Sequence, residues 1–203
     1  FLILLAGLSL VGLANDLVLL FIGLELVSIP TYILLALKRT DAAGQEASLK
    51  YFFLSLVASA LFLYSLACLY GLGGSTSLLA IGNQIQSLGS IAPPTIEGSI
   101  VVGTITASMA AVLLPVMLGT ALAGVAFRMA AVPMHFYAPD VYEGTSTSNA
   151  AVLSTLPKIA GIVMLARIIA LAIPPLGSGQ TVGPVAEILL LQTWHLIAIV
   201  AAV

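Results

Sequence analysis

Long apolar runs alternate with short polar interruptions along this chain, and the length of each run sets the architecture to expect. A helix needs about 20 mainly apolar residues to cross a bilayer. Segments 17–37, 46–70, 100–132, 147–172 and 183–203 read as such spans, and 1–14 reads as the tail of another. Between them fall Asn15-Asp16, the charged stretch from Lys38 to Lys50, Gly71 to Ser75, Ala92-Pro93-Pro94 and Pro174-Pro175. Over 78–88 the pattern changes, with Leu78, Ile81, Ile85 and Leu88 at helical spacing and Asn83, Gln84 and Gln86 among them. That predicts an amphipathic helix lying at the interface or against the bundle.

Two runs contain prolines that matter. Segment 100–132 would be about 50 Å long as an ideal helix, too long for one straight crossing. Pro115 inside it predicts a bend or an interruption, and Pro133 is expected to end it about one turn after Arg128. Such breaks survive in a membrane only where protein or a water-filled cavity satisfies the freed backbone groups. Pro30 falls five residues after Glu25 and deprives the Leu26 carbonyl of its usual partner. Either this opens room for water or a side chain, or it is an ordinary packing kink.

Composition narrows the class. Hydrophobic residues make up 61% of the chain and charged residues 7%, against about a quarter charged in soluble domains, and the mean hydropathy is +1.19. The fold class is therefore all-α, a polytopic helical membrane protein, since a membrane barrel would show short alternating segments. A net charge of −2 gives no reason to expect nucleic acid as a partner. Cys68 is the single cysteine, which rules out a disulfide framework or a cysteine metal site. No signal peptide is visible, and the chain reads as a fragment of a longer polytopic protein. Lys38, Arg39 and Lys50 cluster after the Glu25 run, whereas 71–99 and 173–186 hold no Lys or Arg. The positive-inside rule then makes the Lys38 loop cytoplasmic, with 133–146 on the same side.

Against this background the ionisable residues inside apolar runs stand out. One at bilayer depth costs roughly 2.5–3.5 kcal/mol on insertion scales, so its default reading is functional. Arg128 stands near the end of one run, Lys158 directly after Pro157 in the middle of another, and Glu25 alone in a third. Burial disfavours the charged form of each, and an opposite charge nearby reverses that. A Glu–cation pair that can form and break is thus a proton switch. Lysine suits the proton-carrying role because its pKa shifts readily, while arginine stays protonated. Lys158 is accordingly expected to carry the proton and Arg128 to act as a fixed charge modulating Glu25. The bland alternative is that these charges only pin helices together. His135, after Pro133, fits a proton relay better than a metal site, since His135 with Asp140 and Glu143 is a thin ligand set. His195 is either interfacial or part of the same chemistry. Arg167 reads as an interfacial anchor whose side chain snorkels.

The phrases GLELVSIPTYILLALKR (23–39), SLKYFFLSLVASALFLYSLACLYG (48–71) and FRMAAVPMHFYAPDVYEG (127–144), with LPK (156–158), closely resemble the N-subunit family of bacterial respiratory complex I. Mitochondrial subunit 2 and the B subunit of the photosynthetic NAD(P)H dehydrogenase-like complex are its equivalents. APDVYEG is the most specific phrase, because the sister L and M subunits carry different residues after the same Pro-Asp. The resemblance covers most of the chain and weakens over 75–110. It implies an antiporter-like bundle related to Mrp cation/proton antiporters, built from two inverted five-helix repeats with interrupted helices. The chain would hold the first repeat and the start of the second.

The resemblance also implies a proton-translocating subunit of NADH:quinone oxidoreductase in a multi-pass inner (plasma) membrane setting. Other membrane subunits and the lipid bilayer would be its partners. It implies no redox centre in this chain, with NADH, FMN, iron–sulfur clusters and quinone handled by other subunits. Glu25 matches the family's first-repeat glutamate and Lys158 the lysine on the helix after the broken one. Arg128 stands where the family usually has lysine, which keeps the charge and counts against any step requiring deprotonation there. An Mrp-type antiporter subunit, a membrane-bound hydrogenase subunit and a passive membrane scaffold are the rival readings.

Overall fold

The computed structural model describes residues 1–37, 42–88, 116–132, 134–171 and 191. The expected 183–203 span with Glu187 and His195, the 100–115 part of the long run with Pro115, and the cationic pair Lys38-Arg39 lie outside the described residues, apart from Leu191. Seven helices follow in chain order among them: α1 (Leu2–Leu13), α2 (Leu17–Leu37), α3 (Ala42–Gly73), α4 (Leu78–Leu88), α5 (Val116–Met129), α6 (Ala138–Glu143) and α7 (Thr147–Ala170). Three of them are long and apolar enough to cross a membrane, over Leu17–Leu37, Gly44–Gly71 and Thr147–Ala170. The protein is a polytopic helical membrane protein.

Each helix starts and stops for a local reason. Asp16 caps α2, its Oδ1 accepting from Val18 N at 2.8 Å and Leu19 N at 3.4 Å, which satisfies donors that the first turn leaves free. The helix α3 runs past the expected end at Tyr70, because Gly71 and Gly73 stay helical and only Gly74, at φ +60°, turns the chain out. The left-handed region costs glycine little. Pro30 does not break α2, which is helical from end to end.

One end of the bundle is stitched by backbone. Leu17 N donates to the Thr76 carbonyl at 2.9 Å and Leu78 N to the Asn15 carbonyl at 3.1 Å, so the turn after α1 pairs with the turn after α3. This seats α4 against the bundle, with Ile81 fully buried and Leu79 left outside. Arg167, at the last turn of α7, donates from its guanidinium to the Ala14 carbonyl at 2.7 Å and to that of Gly12. It thus supplies partners to carbonyls that end α1.

At the opposite end α2 stops, α3 begins and α6 lies. Lys50 Nζ reaches Asp140 Oδ2 at 2.8 Å, and Asn149 Nδ2 donates to the Leu34 carbonyl at 2.7 Å. Segment 134–146 and the start of α3 therefore share one end, as alternation of the spans requires. The apolar core joins Leu20, Leu24 and Val27 of α2, Phe62 of α3, Leu118 and Val125 of α5, and Ala160 and Met164 of α7.

Candidate functional site

The helix α5 stops inside the protein. Its last turn closes with Ala131 N donating to the Ala126 carbonyl at 2.8 Å and Ala130 N to that of Phe127 at 3.0 Å, and Ala130 sits at φ 52°. This is the Schellman pattern, which normally takes glycine at the left-handed position. The element thus ends three residues short of the expected Val132. The break lies at Ala130, with Arg128 in the final turn. Tyr137 Oη also donates to the Phe127 carbonyl at 2.7 Å, so protein groups satisfy the exposed helix end, as membrane burial demands.

Ending there brings Arg128 to α2 and α3. Glycines permit the approach. A Cβ at Gly124 would stand 2.8 Å from the Ala58 carbonyl oxygen, and one at Gly161 of α7 would stand 2.7 Å from Met129 Cγ. Arg128, 5% exposed in its side chain, lies 3.3 Å from Glu25 Oε1. Its other donors reach the Leu24 carbonyl at 3.3 Å, Ser59 Oγ at 3.2 Å and Ser28 Oγ. Ser59 Oγ in turn donates to Glu25 Oε1 at 2.6 Å. Glu25 is 28% exposed in its side chain, so the cluster is closed around the cation and open on the carboxylate side.

This geometry accounts for arginine at 128. The forked guanidinium serves a carbonyl, two hydroxyls and a carboxylate from one position, which a single lysine nitrogen cannot do. Pro30 acts less directly than expected. The carbonyl that Arg128 uses belongs to Leu24, whereas Pro30 strips its hydrogen bond from Leu26.

Lys158 and His135 stand apart from this pair. Lys158, half-buried on α7, has its Nζ 6.0 Å from the centroid of the Tyr142 ring. Among the described residues it makes no ion pair. His135 is exposed in the turn between α5 and α6, its carbonyl accepting from Ala138 N at 3.0 Å. No group of three or more His, Cys, Asp or Glu that could hold a metal forms among the described residues.

Ser28 and Ser59 are hydrogen-bonding neighbours of the Glu25–Arg128 pair that sequence reasoning missed. Ser28 is one turn from Glu25, a readable signal. Ser59 is 34 positions from Glu25, and nothing local marks it.

Residues 14–202 match the family described as NADH:quinone oxidoreductase/Mrp antiporter, transmembrane. The chain is 37% identical over 163 residues to NADH-quinone oxidoreductase subunit N of Desulfovibrio desulfuricans, an alignment covering 80% of this chain and 30% of that protein. It thus spans under a third of that relative's length. Among solved structures it resembles a chain of respiratory complex I from Thermus thermophilus, with a TM-score of 0.59 and 34% identity over 83% of this chain and 32% of that one. A chain of the Mrp complex from Dietzia superposes with a TM-score of 0.63 and 25% identity, over 83% of this chain and 28% of that one. With a buried arginine at the end of α5 paired to a glutamate on α2, and with the match running over residues 14–202, the chain belongs to the NADH:quinone oxidoreductase/Mrp antiporter transmembrane family.

Proposed function

We propose that this chain is part of a proton-translocating, antiporter-like subunit of an NADH:quinone oxidoreductase in a bacterial plasma membrane. The Glu25–Arg128 pair at the end of α5 is the observation that carries this reading. A buried pair set where a helix breaks has room to rearrange, and it is more than assembly needs, because buried ion pairs stabilise little by themselves.

The roles divide by chemistry. Arg128 holds its charge and steadies Glu25 as carboxylate. Lys158, without a carboxylate partner among the described residues and beside the Tyr142 ring, is the group that takes and releases the proton. Its charge and that of Arg128 compete for Glu25, so movement of either changes the proton affinity of the others. His135, exposed next to α6, relays protons at the surface. The chain would hold the first five-helix repeat and the start of the second. It carries no redox centre in this reading: NADH, FMN, iron–sulfur clusters and quinone belong to other subunits, and neighbouring membrane subunits are its partners. The Mrp likeness supports the rival of a cation/proton antiporter subunit, which shares the same charge chemistry.

The test is proton pumping by vesicles carrying the full-length complex with Lys158→Ala, beside their NADH oxidation rate and a check of assembly. A sharp loss of pumping and coupled turnover in an assembled complex is expected. Pumping at the wild-type level would make the lysine structural and overturn the assignment.

A further inference from the structure

Ser65 lies six residues beyond Ser59 on α3, completely buried, and its hydroxyl has no hydrogen-bond partner among the described residues. A serine inside a helix ordinarily turns back to a carbonyl of the preceding turn, as Ser28 does to Leu24 at 2.9 Å. Ser65 instead faces a cavity walled by Phe62, Met117, Ala121, Ile168 and Leu171. The cavity offers about 20 Å³ to the centre of a water-sized sphere, and a single water needs roughly 10–15 Å³ on that measure. Ile168 and Leu171 belong to the last turn of α7 and its C-cap, and the Ile168 carbonyl already accepts from Leu171 N at 3.3 Å.

Phe62 lines this cavity and lies between Ser59 and Ser65 along α3. It is three residues from both Ser59 and Ser65, so all three share one face of α3, and it is 1% exposed. Across from it, α5 comes so close that a Cβ at Gly124 would stand 2.9 Å from Phe62 Cβ. Phe62 therefore has a serine one turn away on either side, and α5 packs directly on its stem.

We propose that Ser65 holds a buried water and that Phe62 is the apolar barrier between this water and the Ser59–Glu25–Arg128 cluster. The proposal rests on the proton-translocation reading for its purpose. Protons pass along hydrogen-bonded oxygens, and a benzyl group provides none. With the ring seated, the water at Ser65 and the hydroxyl of Ser59 are unconnected. With the ring displaced, water can join them and give Glu25 a route toward the end of the bundle where α1 meets α4.

Two measurements test the two halves. In a high-resolution map of the assembled complex, a water peak is expected about 2.5–3.0 Å from Ser65 Oγ and is expected to vanish in Ser65→Ala. A dry cavity in a map that shows other buried waters overturns the site. For the barrier, passive proton flux is measured in vesicles at rest, without electron donor. Phe62→Ala is expected to raise it several-fold, with a smaller rise for Phe62→Leu, the variant that decides if the alanine form does not assemble. Resting flux at the wild-type level in the assembled variant overturns the barrier. Because the leak is read without turnover, leak in Phe62→Ala beside normal pumping in Lys158→Ala would sink the proposed role of Lys158 and leave this inference standing.

Discussion

Arg128 Nη2 lies 3.3 Å from Glu25 Oε1 although 103 positions separate the two residues. The pair exists because α5 ends where it does, and because each donor of the guanidinium finds an acceptor on α2 or α3. Replacing Arg128 with Gln leaves Glu25 half-buried and without its cation. Losing one partner of a buried pair costs about 3–5 kcal/mol, and the partial exposure of Glu25 places this site toward the lower end. Thermal unfolding of the assembled complex checks it, and a change below about 1 kcal/mol would mean the pair is marginal.

Arg128→Lys separates charge from geometry. The charge survives, but one ammonium cannot serve Leu24, Ser28, Ser59 and Glu25 together. A buried lysine also titrates where arginine does not. Pumping in Arg128→Lys is expected to persist near neutral pH and to show an added loss on the alkaline side. An unchanged pH profile would show that the fork is dispensable.

Ala130 holds the left-handed position that ends α5, at φ 52°. An L residue there is strained by roughly 1–2 kcal/mol, which glycine escapes. Ala130→Gly should therefore match or exceed the wild type in thermal stability. A β-branched residue is a true outlier at positive φ, so Ala130→Val should lose about 1–3 kcal/mol and draw Arg128 out of register. Equal melting of the two variants would remove the strain argument.

Much of this was legible in the chain. Apolar run length placed α1, α2 and α7 within two residues at each end, because burial in lipid leaves a helix little alternative. The pairing of Glu25 with a cation followed from the cost of isolated charges. The break at Ala130 was not legible, since alanine is an ordinary helix former and nothing local announces a left-handed cap. The partners of Arg167 were not legible for a similar reason. Only the packing of α7 on α1 shows that its acceptors are the carbonyls of Gly12 and Ala14.

Asp16 gives a pH dependence outside the spans. The Thr76 side chain, then the backbone N–H groups of Val18 and Leu19, hold its carboxyl below the usual carboxylate range. A group whose pKa is depressed by folding contributes stability that is complete above its unfolded pKa, about 3.9. That stability fades as pH falls through the folded value. Between pH 7 and 5 the contribution of Asp16 to the thermal midpoint should be constant, with the wild type melting above Asp16→Asn. Below about pH 4 the wild type should lose stability that Asp16→Asn has already lost, so the two curves converge. Parallel curves down to acid would show that the cap does not titrate.

Tyr142 and Lys158 give the last prediction. With the Nζ 6.0 Å from the ring centroid, the ring's negative face favours the charged ammonium by about 0.5–1 kcal/mol, and more if the site is dry. Tyr142→Leu keeps bulk and removes that face, so thermal unfolding of the assembled complex should show a loss of about 0.5–1 kcal/mol. Tyr142→Phe keeps the ring and should match the wild type. A loss in the phenylalanine variant as well would trace the effect to the hydroxyl, and no loss in either would show that the ring does not hold the ammonium.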